Sequence, residues 1–93
     1  MGLFSVTYDL RKPGQNYDGL IERLRQIGAI RPLESYWVLQ SERSAAAIRD
    51  DLARYIDAND RLMVAGLTGE AAWTNSMVLN GQLQEALRVH SLT

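Results

Sequence analysis

Asp9 is the carboxylate of this sequence that is best placed to do chemistry. It stands near the end of Leu3 to Leu10, where β-branched and aromatic residues alternate with small polar ones as in a strand. Arg11 and Lys12 follow at once, and Pro13-Gly14 stops the strand. The pattern therefore predicts a carboxylate beside two cations at a strand end, which suits a metal or phosphate site. From the residues alone, however, the favoured interpretation is that Asp9 only ends the strand or pairs with Arg11 or Lys12.

Other polar and aromatic residues are weaker candidates for the same site. Arg31 is expected on an adjacent strand, where it would contact phosphates or simply face water, and Ser35 would bind a phosphate or serve the sheet structurally. Trp37 and Trp73 are able to stack on bases, but aromatic residues more often fill cores or dimer interfaces, and that interpretation is favoured. His90 has no acid near it in sequence and is a weak general base.

Composition limits the classes of protein to consider. The 93 residues predict one domain, and a chain this short buries only roughly 60–65 % of its unfolded surface, so dimerisation is plausible. The absence of cysteine and the single histidine exclude a disulfide framework and an all-histidine zinc site within one chain. A net charge of −1 argues against a broadly basic nucleic-acid binder. No secretion signal or membrane-length apolar run is present, so a cytoplasmic location is expected.

The elements that would position Asp9 follow from hydrophobic spacing and from turn residues. Gly28 suits a helix end, Ser44 suits a helix start, and Pro32 marks a sheet edge or a bulge. The predicted elements are a strand over 3–10, a helix over 17–27, strands over 30–34 and 36–40 (or one bent strand), a helix over 45–56 and a strand over 61–67. Residues 73–78 are expected to be extended or irregular, and a short helix is expected over 81–91.

This order predicts an α+β fold of the ferredoxin-like β-α-β-β-α-β type over residues 1–68, with residues 69–93 as an extension packed on the core or on a partner. Two helices would cover one face of the sheet. An identical partner would cover the other face, which is expected to be apolar. The residues assigned to that second face are Val6, Tyr8, Trp37 and Met63. In the second helix, the residues expected to face water are Arg49, Asp50, Asp51 and Arg54.

Several of these segments resemble a known family. The resemblance covers roughly residues 3–68 and lies in the order and spacing of Tyr8-Asp9-Leu10, Pro13-Gly14-Gln15-Asn16-Tyr17, Gly28, Ser35-Tyr36-Trp37-Val38 and Asp60-Arg61-Leu62. In these features the chain resembles the small CRISPR-associated "Cas two" proteins, the SinR-like proteins and, more distantly, the virulence-associated protein D (VapD) ribonuclease toxins. It departs from the CRISPR proteins in lacking their arginine-rich loop after the aspartate and their short swapped C-terminal strand.

The resemblance implies a homodimer in which Asp9 faces its symmetry mate near the two-fold axis. The pair would share one divalent cation such as Mg²⁺, and the implied activity is cleavage of RNA or DNA phosphodiesters, with Arg11 and Lys12 steering phosphates. Two carboxylates suit such a cation, which keeps several waters and activates one of them. The alternative is a catalytically inactive dimeric module that binds nucleic acid or a protein through its sheet edge or tail. A third hypothesis, a small-molecule sensor, requires a pocket that nothing in the sequence marks.

Overall fold

The structure is a computed structural model that describes residues 2–11 and 17–91, with side chains as far as residue 87. It is a small α+β domain whose described residues form a four-stranded antiparallel sheet and three helices. The elements in chain order are β1 (Gly2–Asp9), α1 (Asp18–Gln26), β2 (Ile30–Leu33), β3 (Tyr36–Ser41), α2 (Ala45–Ala53), β4 (Arg61–Gly66) and α3 (Asn80–Ser91). The predicted order of helices and strands is confirmed, although α2 ends three residues earlier than its predicted end at residue 56.

The strands lie in the order β2-β3-β1-β4, and each neighbouring pair is antiparallel. The central strand β1 therefore bonds to β3 on one side and to β4 on the other. Its last residue, Asp9, is paired with Arg61, the first residue of β4. One end of the sheet thus brings together the end of β1, the β2–β3 turn and the start of β4.

Local sequence signals account for several boundaries. The Ser44 hydroxyl accepts a hydrogen bond from the Ala47 amide at 3.1 Å and caps α2. Gly28 follows α1 with a φ of 84°, a left-handed conformation that glycine adopts without steric cost. The register shifts between Ile30 and Leu33, so the edge strand β2 is irregular around Pro32, as predicted.

The main core lies between the sheet and the pair α1 and α2. Val6, Tyr8 and Trp37 are buried there, with exposed fractions of 0 %, 6 % and 1 %. Their assignment to the second face of the sheet was wrong. Val6 is paired with Trp37 across the strands, and paired residues share a face; alternation shows which residues lie together but not which face the helices cover.

A second cluster covers part of the opposite face of the sheet. Leu83 and Leu87 of α3 pack against Leu3 of β1 and Val38 of β3, and all four are buried. The Gln40 side-chain amide also donates to the Ala86 carbonyl at 2.7 Å. The C-terminal helix therefore occupies a surface that the sequence assigned to an identical partner.

Beyond α3, part of this face is exposed. Thr7 is paired with Met63, and Asp9 is paired with Arg61, so these four side chains lie on one face. All four are exposed, and Met63 has an exposed fraction of 68 %. We call this surface the open half-face. Among the described residues, no helix combines the length and the apolar character needed to cross a membrane.

Candidate functional site

Asp9 lies on the open half-face at the end of β1. Its side chain is 68 % exposed, and its Oδ2 atom lies 4.0 Å from Nη1 of Arg61, whose side chain is equally exposed. An ion pair of this length and exposure is weak, because water screens both charges. The Asp9 carboxylate is therefore accessible to a cation or to a second copy of the chain.

Arg11 follows Asp9 and is held through its backbone. Its amide donates to Oδ1 of Asp60 at 2.7 Å, and the Tyr17 hydroxyl donates to the same oxygen at 2.9 Å. The other oxygen of Asp60 accepts from the Asp57 amide at 2.8 Å. Asp60 therefore links both described ends of the loop after β1 to the α2–β4 turn.

Arg61 borders two depressions. A cleft of about 670 Å³ is lined by Arg11 and Arg61 together with Asp57, Ala58 and Asn59. A shallower depression of about 360 Å³ contains Asp9 and Arg61. Guanidinium groups bind phosphate oxygens strongly. Arg11 and Arg61 thus place two guanidinium-bearing side chains on one cleft, and Arg61 also borders the depression that contains Asp9.

Arg61 was missed as a site residue by reasoning from the sequence. Arg61 was noted only as the start of a predicted strand and as part of the Asp60-Arg61-Leu62 segment of the resemblance. Its proximity to Asp9 depends on the antiparallel pairing of β1 with β4. The remaining predicted groups, Lys12 and the His90 side chain, lie outside the described residues.

Arg31 and Ser35 lie at the same end of the sheet, and both make hydrogen bonds at the β2–β3 turn. The Arg31 guanidinium donates to the Glu34 carbonyl at 2.8 and 2.5 Å and stacks 5.4 Å from the centre of the Trp37 ring. Ser35 is exposed in the β2–β3 turn, and its carbonyl accepts from the Tyr8 amide at 3.4 Å. Both residues therefore shape the turn beside β1.

A buried hydrogen-bond chain connects this turn to the strand that carries Asp9. Trp37 Nε1 donates to the Tyr8 hydroxyl at 3.0 Å, and that hydroxyl donates to the Glu34 carbonyl at 3.2 Å. Trp37 is thus a core residue, as favoured from the sequence. Trp73 packs against the second cluster, and its Nε1 donates to Oδ1 of Asn80 at 3.0 Å.

Asp9 is not part of a cluster of potential metal ligands among the described residues. In the part of the chain that the structure describes, no group of three or more histidine, aspartate or glutamate side chains is placed to hold a metal. A carboxylate with open space around it nevertheless matches the oxygen ligands and retained waters of Mg²⁺. A cation at Asp9 would take its remaining ligands from a second copy, from water or from a bound phosphate.

The strongest charge cluster lies away from Asp9, between α1 and α2. Asp51 accepts from Arg23 at 2.9 and 2.7 Å and from Arg43 at 3.0 Å, with Arg54 at 3.5 Å. Its side chain is only 8 % exposed, so the prediction that Asp51 faces water was wrong. The hydrogen bond from Arg23, supported by Arg43, lowers the pKa of Asp51 from 3.8 to about 2.

Comparison with known proteins assigns no family or function to this chain. No protein-family model matches this chain, and no solved structure gives a significant match. The residues around Asp9 are consequently the basis for a proposed function.

Proposed function

We propose that the protein is a homodimeric, divalent-metal-dependent nuclease-like protein that acts on RNA or DNA phosphodiesters. The observation that supports this proposal is the exposed Asp9 carboxylate, which lies on the open half-face with Arg61 beside it and Arg11 two residues further on. The resemblance to the "Cas two", SinR-like and VapD proteins points to the same activity.

We also infer a ferredoxin-like architecture. The β-α-β-β-α-β order and the strand order β2-β3-β1-β4, with β1 and β3 in the centre, support it. In this arrangement Asp9 lies at the end of a central strand and is paired with Arg61 of β4, while the amide of the preceding residue, Tyr8, donates to the Ser35 carbonyl in the β2–β3 turn.

The open half-face is where a second copy would bind. Thr7 and Met63 are exposed there, and Met63 offers apolar surface for an isologous contact. A two-fold axis through this surface would bring together Asp9 from both copies. The bound divalent cation would supply an activated water and neutralise phosphate charge. Asp9 would hold that cation, and Arg11 and Arg61 would bind the phosphates on either side of the scissile bond.

A second candidate function is nucleic-acid or protein binding without turnover. The observation that favours it is the 4.0 Å approach of Arg61 to Asp9, because a cation would have to compete with the guanidinium group for this carboxylate. In that case the arginines would still bind phosphates, but no water would be activated.

The test is Asp9→Asn, assayed with Mg²⁺ on single-stranded RNA and on duplex DNA. We expect cleavage to fall by about 10- to 100-fold or more, because a ligand to the cation is lost. Dimerisation should persist, because asparagine has nearly the size of aspartate and the exposed apolar side chain of Met63 is unchanged. The control is Asp50→Asn, which changes a carboxylate that is 70 % exposed on α2.

The two candidate functions give different results in this assay. Cleavage by Asp9→Asn at the wild-type rate contradicts the nuclease proposal. A wild-type protein that binds RNA or DNA but cleaves neither with Mg²⁺ nor with Mn²⁺ supports the second candidate.

A further inference from the structure

The segment between β4 and α3 crosses the face of the sheet opposite to α1 and α2. At one end the Leu67 amide donates to the Leu3 carbonyl of β1 at 2.8 Å, and at the other the Met77 amide donates to the Pro32 carbonyl of β2 at 2.7 Å. Because β3 lies between β1 and β2, residues 68–76 pass over β3. We call this segment the strap. It has no regular secondary structure.

A cavity of about 240 Å³ lies between the strap and the sheet. Its floor is formed by Pro32 of β2 and by Tyr36 and Val38 of β3. Leu83 and Leu87 of α3, which are 3 % and 6 % exposed, form one wall. The cavity is therefore part of the second cluster and is separate from the Asp9 site.

The strap side of the cavity is built from small residues. Gly69, Ala71 and Ala72 line it, and Glu70 contributes the only charged side chain among the described lining residues. Trp73 also lines it, but its indole N–H is already bonded to Asn80. Glu70 is exposed and lines the cavity, so its carboxylate is the charged hydrogen-bond acceptor available to a bound molecule among the lining side chains.

The volume of the cavity and its mostly apolar lining indicate which class of ligand it would bind. Packed protein interiors contain few voids larger than a water molecule, and apolar cavities stay dry. An apolar cavity of about 150 Å³ is large enough to bind benzene, so this one accepts a larger ring system. We propose that the cavity binds a small, flat aromatic molecule of about the size of indole, with an N–H or O–H group that donates to Glu70.

The test is a titration of the full chain with indole, followed by amide NMR shifts and by melting temperature. We expect saturable shifts concentrated at Tyr36, Val38 and Leu83, and a melting temperature that rises with indole concentration. Absence of saturable shifts, or shifts concentrated on α1 and α2, overturns the proposal.

Two variants fill the cavity from opposite sides. Val38→Phe fills it from the floor, and Ala72→Leu fills it from the exposed strap, where a change in folding is not expected. Each should weaken indole binding by about tenfold or more, whereas the control Ala46→Leu, at an exposed position on α2, should bind as the wild type does. If Val38→Phe does not fold, the indole affinity of Ala72→Leu is the test. An affinity equal to that of the wild type overturns the proposal.

The role of Glu70 is tested with 1-methylindole, which has no N–H group. The wild type should bind indole about tenfold more tightly than 1-methylindole, and Glu70→Ala should bind the two alike. Equal affinities in the wild type overturn the assignment of Glu70. Indole affinity that falls as protein concentration rises would mean that a second copy covers the cavity, and this result also overturns the proposal.

Discussion

The hydroxyl of Tyr8 is the buried polar group that holds the Asp9 end of the sheet to the β2–β3 turn. It accepts from Trp37 Nε1 and donates to the Glu34 carbonyl. Trp37 is 1 % exposed, so its N–H has no access to water if this acceptor is removed. A buried donor without a partner is costly, because it loses its hydration and gains nothing in return.

Tyr8→Phe should therefore lower the free energy of unfolding by about 1–3 kcal/mol. Urea denaturation measures this loss. The control is Tyr36→Phe, which removes a hydroxyl from a partly exposed residue on the other face of the sheet and should cost less. If Tyr8→Phe and Tyr36→Phe lower the free energy of unfolding equally, the hydrogen bond from Trp37 to Tyr8 does not contribute the stability predicted here.

Asp51 is a carboxylate that contacts three arginines, and its pKa gives the stability of the fold a pH dependence. The folded chain holds the Asp51 pKa at about 2, below the usual 3.8, because Arg23 and Arg43 bond to the ionised form. A lowered carboxylate pKa contributes stability above the unfolded value, and that contribution is lost as pH falls through the folded value. The affected window is therefore between about pH 4 and pH 2.

Asp51→Asn should be less stable than the wild type at pH 7 by about 1–2 kcal/mol, since water partly screens the exposed arginines. The difference should shrink between pH 4 and pH 2, where the wild type loses its ionised carboxylate. Melting temperatures across this range test the prediction, with Asp50→Asn as the matched control. A difference that is constant with pH would contradict it.

At the scale of elements, α3 determines how much of the sheet is exposed. Leu83 and Leu87 bury their side chains against Leu3 and Val38, on a face that a four-stranded sheet with two helices leaves open. The helix also forms one wall of the cavity beneath the strap. Both the second cluster and the proposed site for an aromatic molecule therefore form only when α3 packs against the sheet.

Leu87→Ala should lower the free energy of unfolding by about 2–4 kcal/mol, because it removes a buried side chain and leaves a void between α3 and β3. Gln84→Ala, at an exposed position one turn earlier, is the control and should change stability little. Urea denaturation compares the two variants. A loss below about 1 kcal/mol for Leu87→Ala would mean that α3 docks only weakly.

At the scale of the whole molecule, the proposed function depends on what covers the open half-face. This surface carries an exposed methionine beside a carboxylate and a guanidinium group, so both apolar contact and charge pairing are available to a second copy. A single chain would present one Asp9, whereas a two-fold dimer would present two.

Met63→Lys should convert the proposed dimer into a monomer, because a two-fold contact would bring two ammonium groups into an apolar surface. Sedimentation at several concentrations measures the change, and metal-stimulated cleavage should be lost with the dimer. Met77→Lys is the control, because Met77 is 57 % exposed but lies outside the open half-face. A monomeric wild type, or a dimeric Met63→Lys variant, would refute this mode of assembly.

Local signals were sufficient for the elements and for the centre of the candidate site. Ser44 caps α2 and Gly28 follows α1 in a left-handed conformation, as their residue types predict. Asp9 is the last residue of β1, within one residue of the strand end that was predicted from alternation and turn residues. Arg61 was missed because its position depends on pairing with a strand about fifty residues away in the chain.

The sequence by itself determined the order of the helices and strands and, except at the end of α2, their bounds to within one residue, since capping, turn geometry and alternation act over a few residues. Only the tertiary structure decided that Val6, Tyr8 and Trp37 face the helices, that Asp51 lies among arginines, and that α3 covers half of the other face. Periodicity shows which side chains share a surface, but the partner of that surface is chosen by packing between segments far apart in sequence. The cavity beneath the strap is the clearest case, because it exists only where three such segments meet.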